Sequence, residues 1–206
     1  MNKIVTEKDL AEALIKDHEL WLKTGGREGK KAYLCHLDLR NITLGNVNLA
    51  YAELNDVDFT CAFLEGINLS HAVLREVNFT GAFAPGANFS NADMKYIGLE
   101  LTELANADFS NATLESISLT CANLNNTNLT NASLTNADLL YASLLNINLT
   151  GANLSKVKLS DVNAYGVDLS NTFLSNVDLI DTNPDDQEAY YTELSDTIFN
   201  EDNIFI

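Results

Sequence analysis

The segment Thr24-Gly-Gly-Arg-Glu-Gly29-Lys30-Lys31 is the part of this chain nearest to a phosphate-binding loop. Such a loop cradles phosphate oxygens with backbone N–H groups; it needs a first Gly, a closing Ser or Thr, and a preceding strand. Here Thr24 stands first, Lys31 stands last, and the residues before them read as a helix. A helix stop followed by a basic connector fits better. Cys35, Cys61 and Cys121 form an odd, sparse set, and His18, His36 and His71 lie far apart, so metal-ligand spacing is absent. Catalysis needs a nucleophile, a base and an orienting group gathered in a pocket, and these residues supply no such set. The expectation is a non-catalytic protein with no cofactor and no metal.

Carboxylates are the one chemically active group in excess. The net charge of −17 excludes direct nucleic-acid binding, which requires a basic face, but it permits a basic partner. Residues 1–33 carry seven basic and six acidic side chains, 34–183 carry five and sixteen, and 184–206 carry none and seven. No run approaches the length of a membrane span, and the start, MNKIVTEKDL, lacks the apolar core of a secretory signal. A cytoplasmic protein with free thiols is expected.

What positions the carboxylates is a repeat. From Leu34 in steps of five, thirty consecutive positions to Leu179 hold 23 Leu, 4 Phe, one Met and two Ala, the last being Ala84 and Ala164. Two residues before each stand fourteen Ala, seven Val, five Ile, three Thr and Leu37. The residue just before each centre is often Asp or Asn. A period of five suits neither a helix nor a strand. Residues twenty apart share a character: Ala32, Ala52, Ala72, Ala92, Ala112, Ala132 and Ala152 form one column, and Leu37, Val57, Val77, Ile97 and Ile117 begin another. Twenty residues per coil on four sides is therefore predicted.

The pattern resembles the pentapeptide-repeat family, whose motif is A(D/N)LXX; Ala87-Asn88-Phe89-Ser90-Asn91 and Ala152-Asn153-Leu154-Ser155-Lys156 fit it fully. The resemblance covers Ala32 to about Thr182 and implies an all-β solenoid, a right-handed quadrilateral β-helix. The centre and the small residue two before it would point inward. Residues 32–183 then make about seven to eight coils, a column roughly 36 Å long at the strand spacing. Three coils put Cys61 and Cys121 about 14 Å apart, too far for a disulfide. Ala84 implies local narrowing or a larger neighbour, and Pro85-Gly86 a distorted corner.

Three segments follow: 1–31 as an N-terminal amphipathic helix and connector capping the solenoid, 32–183 as the β-helix, and 184–206 as an acidic, aromatic C-terminal cap or dimer segment. In the helix over 6–23, Thr6 is the N-cap with Asp9 three later, and Leu10, Leu14, Ile15, Trp21 and Leu22 form the apolar stripe. Past Asn183-Pro184, Leu194, Phe199 and Ile204 stay in phase, so the tail is expected to bulge out and resume part of a coil. Its Tyr190, Tyr191, Phe199 and Phe205 would cover the last coil or join two copies into a homodimer.

Sorted by side, the acids of the repeat concentrate on two adjacent faces. One holds Asp38, Asp58, Glu100, Asp138, Asp161, Asp178 and Asp181; its neighbour holds Glu53, Asp56, Glu76, Asp93 and Glu115. These twelve are the candidate partner-binding face. Phe63 and Phe83, twenty apart, are the candidate apolar contact. Two functions fit. The first is a protein–protein interaction scaffold that presents an acidic solenoid face to a protein partner. The alternative follows from the resemblance, since the family includes bacterial quinolone-resistance proteins that imitate DNA and bind DNA gyrase. Duplex of that length carries roughly 21 negative charges, against a net −11 for the repeat, so the imitation is thin.

Overall fold

The computed structural model describes residues 6–159, together with 162, 167, 172–174 and 198–199. The order of elements is helix α1 (Glu7–Thr24), then strands β1 (Tyr33–Asp38), β2 (Glu53–Asp58), β3 (Val73–Arg75), β4 (Asp93–Lys95), β5 (Phe173–Leu174) and β6 (Ile198–Phe199). Among the described residues all strand pairing is parallel. From Tyr33 to Phe173 the partner always lies twenty residues on: Tyr33, Glu53, Val73, Asp93, Thr113, Ser133, Asn153 and Phe173 form one continuous ladder. Equivalent ladders start at Asp38, Thr43 and Asn48, so the coil has four sides. We name the faces A to D after their first centres, Leu34, Leu39, Leu44 and Leu49.

A single hydrogen-bond scheme repeats on each side. The centre donates upward to the next coil, as Leu39 N–H does to Asp58 O (2.8 Å), and the residue before the centre donates downward, as Glu53 N–H does to Ala32 O (3.0 Å). At each corner the centre's carbonyl accepts from the N–H three residues later, for example Ile42 to Leu39 (3.1 Å) and Ala62 to Phe59 (2.9 Å). The third residue of that turn takes φ > 0. Every corner from His36 to Lys156 does so: twenty-one non-glycine residues and four glycines, with φ between +52° and +70°. That requirement explains the many Asn and Gly two residues after the centre. Pro85-Gly86 is a regular corner, not a distorted one. Gly86 has φ +65° and its N–H reaches Ala105 O at 2.8 Å, because Pro-Gly is well suited to such a turn.

The Asp or Asn before the centre has its own reason. Its side-chain oxygen accepts from the N–H two residues on, as in Asn68–Ser70 (3.0 Å), Asn88–Ser90 (2.9 Å) and Asp108–Ser110 (2.9 Å). This local bond organises the approach to the turn. Every centre from Leu34 to Leu159 is buried, and so is the position two before it, Val47 alone being half-buried. The buried Thr102, Thr127 and Thr172 at the small position each hydrogen-bond a carbonyl twenty-three residues back, which removes the penalty of burying a hydroxyl.

Helix α1 begins with the expected capping box: Asp9 N–H donates to Thr6 Oγ1 (3.1 Å) and Thr6 N–H to Asp9 Oδ2 (3.0 Å). It ends at Gly25 (φ +62°), with Gly25 N–H to Leu22 O (3.2 Å) and Gly26 N–H to Trp21 O (2.8 Å), a Schellman pair. The buried stripe differs from the expected one. Ala11, Ile15 and His18 are buried, Leu14, Trp21 and Leu22 are half-buried, and Leu10 is 45 % exposed. The first coil presents backbone polar groups as well as methyls, so a histidine serves where a sequence reading looks for leucine.

At the far end, β5 and β6 pair Phe173 with Ile198 and Leu174 with Phe199. That register is twenty-five, one five-residue unit longer than elsewhere. Phe199 thus keeps the phase of five. Ala164, Tyr190, Tyr191, Leu194, Ile204 and Phe205 lie outside the described residues.

Candidate interaction surface

Faces A and B carry the candidate acids, and they also carry the bases. Arg40 lies between Asp38 and Asp58, its guanidinium 2.5 Å and 3.7 Å from their carboxylates. Lys31 meets Glu53 at 2.6 Å, and Lys158 meets Asp138 at 2.8 Å. His36 Nδ1 is 2.7 Å from Asp56, and Arg75 pairs with Asp93 while also donating to the carbonyls of Leu74 on its own strand and of Asp93 on β4. Glu100 accepts from the Thr80 hydroxyl (3.1 Å) and Glu115 from that of Ser133 (3.1 Å). Glu76 occupies a corner at φ +53°. Asp161, Asp178 and Asp181 lie outside the described residues.

Within residues 32–159, faces A and B hold nine carboxylates against Arg40, Arg75, Lys95, Lys156 and Lys158, a net of −4. Faces C and D hold Glu65, Glu103 and Asp108 with no base, a net of −3. Counting acids alone makes the first pair look strongly negative. With the bases included, A and B are distinguished as a mixed-charge surface. The pairing is felt in titration. Hydrogen bonds from Arg40 hold the Asp38 carboxyl down at about 2. Burial of Asp138 pushes its pKa up, but the Lys158 ammonium and the Leu140 N–H outweigh it, leaving the pKa below the ordinary value.

Corner composition separates the faces more sharply than charge does. The C/D corner reads Asn46, Gly66, Gly86, Asn106, Asn126, Asn146, all types that accept φ > 0 at little cost. The two corners bordering face B are different. Its A-side border carries His36, Asp56, Glu76, Tyr96, Ser116, Asn136 and Lys156; its C-side border carries Asn41, Cys61, Gly81, Leu101, Cys121 and Tyr141. Tyr96 is 80 % exposed, Leu101 64 % and Tyr141 59 %. Such residues combine an unfavourable backbone with an apolar side chain left in water. The D/A corner carries one exposed tyrosine as well, Tyr51, whose ring stacks on His71 one coil on with centroids 4.7 Å apart.

Phe63 and Phe83 are exposed and directly paired on face C, each two residues beyond a C-side corner of face B. They extend the apolar border formed by Leu101 and Tyr141. Cys61 and Cys121 are free, exposed thiols on the same border. In the connector, Glu28 N–H donates to Thr24 Oγ1 (3.0 Å) and Arg27 Nε to Thr24 O (3.0 Å), so the phosphate-loop look-alike is folded on its own side chains. Among the described residues, no helix is long and apolar enough to cross a membrane.

The described surface can be set beside known proteins. The family model described as "Pentapeptide repeats" matches residues 30–155 and 158–183 with eight copies. No curated protein matches the chain. Among solved structures, HetL, a pentapeptide repeat protein involved in heterocyst differentiation regulation from Nostoc sp. strain PCC 7120, is 23 % identical over 78 % of this chain and 91 % of its own, with a TM-score of 0.31. QnrB1, a plasmid-mediated fluoroquinolone resistance protein, is 19 % identical over 71 % and 88 %, with a TM-score of 0.37. A pentapeptide repeat protein from the Arabidopsis thaliana thylakoid lumen is 35 % identical over 50 % and 66 %, with a TM-score of 0.27. By its repeats and by the family match across them, the chain belongs to the pentapeptide-repeat family, whose right-handed β-helix the twenty-residue ladders build.

Proposed function

We propose that this protein is a non-catalytic interaction scaffold whose protein partner reads face B and its two borders, with α1 capping one end of the rod and the segment 184–206 the other. The carrying observation is that exposed tyrosine and leucine occupy φ > 0 positions along both borders of face B, while the opposite corner is built from Asn and Gly. Backbone strain kept at exposed apolar side chains is characteristic of contact sites. Tyr96 on one side and Leu101 with Tyr141 on the other are the apolar anchors, extended by Phe63 and Phe83. Asp58, Glu100 and Asp138 between them supply polar register. Aromatic anchors around a polar centre suit a protein surface of mixed charge.

The alternative reading, imitation of duplex DNA towards gyrase, has less support. Arg40 and Lys158 sit among the very carboxylates that would stand for phosphates. A photo-crosslinking amino acid placed at Tyr96 or Tyr141 in the full chain, expressed in its host, should yield a discrete adduct. The same group at Asn106 or Asn126 should not. Equal or stronger adducts from Asn106 would sink the face assignment. Inhibition of gyrase supercoiling by the purified chain, lost on changing Asp58 and Asp138 to Asn, would favour the DNA-like reading instead.

A further inference from the structure

His18 is 0 % exposed and is committed at both ring nitrogens. Ala32 N–H lies 3.0 Å from Nδ1, and Nε2 lies 3.0 Å from Ala50 O. A backbone N–H can only donate, so Nδ1 must carry a lone pair and the proton must sit on Nε2, which donates to Ala50 O. The ring is neutral by geometry. Both partners are groups that every later coil satisfies for itself. Ala52 N–H, twenty residues above Ala32, donates to Leu49 O, and Ser70 O, twenty above Ala50, accepts from Tyr51 N–H. The first coil has no coil beneath it, and His18 fills both roles. Glu7 fills a third, its carboxylate accepting from Asp38 N–H.

We propose that α1 is a proton-operated latch: protonation of His18 at Nδ1 removes the acceptor of the Ala32 N–H, sets two donors face to face, and releases the helix from the first coil. Release strands Ala32 N–H, Asp38 N–H and Ala50 O as an open β edge and uncovers the footprint of Ala11 and Ile15. An edge of that kind is competent to pair with another strand. The charged neighbours do not offer a proton a stable home. On α1, Glu19 favours the protonated ring; on the connector, Lys31 opposes it and is itself held by Glu53 of β2. The first coil contributes the Ala50 carbonyl and apolar groups.

Burial is the largest influence on the ring and lowers its pKa below the ordinary 6.5, against the opposing pull of Ala50 O and Glu19. The sign follows. The released helix binds a proton more readily than the docked one, so docking is complete above pH 6.5 and weakens as pH falls towards the docked pKa. Each pH unit in that window costs at most about tenfold in the docked-to-released ratio.

The test uses the full chain and two readouts: amide exchange of Ala32 and Asp38, corrected for intrinsic pH dependence, and fluorescence of Trp21. Trp21 is the chain's single tryptophan and stacks on His18 with centroids 5.5 Å apart. Between pH 7.5 and 5.5, protection at Ala32 and Asp38 should fall, with about tenfold as the ceiling, while that of Leu114 in mid-solenoid holds. His18→Gln keeps one donor and one acceptor but does not titrate, and its protection should be flat with pH. A wild-type response absent at Ala32, or one that persists in H18Q, overturns the latch. Should H18Q fail to dock at all, ring nitrogen shifts of the wild-type protein decide. An Nε2–H tautomer titrating below 6.5 supports the latch, and an ordinary or raised midpoint refutes it.

Discussion

Phe79 and Phe89, on opposite faces of one coil, meet edge to face across the solenoid axis with ring centroids 5.8 Å apart and planes at 86°. The centre between them on face C is Ala84, one of two alanines among thirty centres. Its single methyl leaves the volume into which both rings reach. The contact extends along the axis, since Phe59 stacks on Phe79 at 5.3 Å and Phe89 on Phe109 at 4.7 Å. Restoring the consensus by Ala84→Leu should therefore destabilise the protein, by about 1–3 kcal/mol from overpacking. Adding Phe79→Leu should recover part of that loss. A urea series shows it as a lower midpoint for A84L and a partial return in the double variant; a single variant as stable as wild type refutes the account.

Corner strain makes an opposite forecast. Leu101 holds φ +57° with no glycine or asparagine to ease it. Leu101→Asn should stabilise the fold by about 1 kcal/mol, since a bulky residue in the left-handed region costs roughly that much. At the relaxed C/D corner, Asn126→Val should destabilise by at least as much. The informative result is the pairing of effects: L101N should raise the unfolding midpoint and weaken the crosslink formed at Tyr141. A variant that is more stable and binds unchanged would detach Leu101 from the partner.

Much of this fold is legible in the letters because a period of five is unlike either common backbone period, and identity at a spacing of twenty counts the sides. Inward and outward positions, and with them the exposed placement of Phe63 and Phe83, follow once the resemblance to the pentapeptide-repeat family says which positions face the axis. Three features were hidden. The corner's φ > 0 is a backbone demand that Asn and Gly only hint at, and Tyr96 or Leu101 conceal it. His18 sits inside a helical stripe where side-chain type misleads, because its partners are backbone groups more than a dozen residues away. The charge of faces A and B depends on which bases fall beside which acids. Acids counted alone could not reveal that Arg40 bridges Asp38 and Asp58.

Face D shows how little charge its ladder tolerates. Asn48, Asn68, Asn88, Asp108, Asn128 and Asn148 are stacked in register, and Asn128 Nδ2 donates to Asp108 Oδ1 at 3.0 Å. Asn128→Asp replaces that donor with a second carboxylate one coil from the first. The expected outcome is a loss of stability near neutral pH that is relieved as the pair takes up a proton on acidification. Asn148→Asp, two coils from Asp108, should cost less. Equal thermal midpoints for N128D and wild type at pH 7 would contradict the ladder.

The ion pairs on face B can be read one carboxylate at a time. Asp38 is exposed and lowered to about 2 by hydrogen bonds from Arg40. Asp138 is partly sheltered and lowered by Lys158 and the Leu140 N–H against its own burial. Both are depressed in the folded state, so their favourable contribution is present above the unfolded carboxylate value and disappears as pH falls through the folded one. Arg40→Gln should return Asp38 towards an ordinary carboxylate. Lys158→Gln should raise the Asp138 pKa, because burial of Asp138 then acts against only the Leu140 bond. Carboxyl carbon shifts followed by NMR from pH 7 to pH 2 separate the cases. An Asp138 midpoint unmoved in K158Q would mean that the 2.8 Å contact does not persist in solution, and that face B offers a partner more free negative charge than the pairing implies.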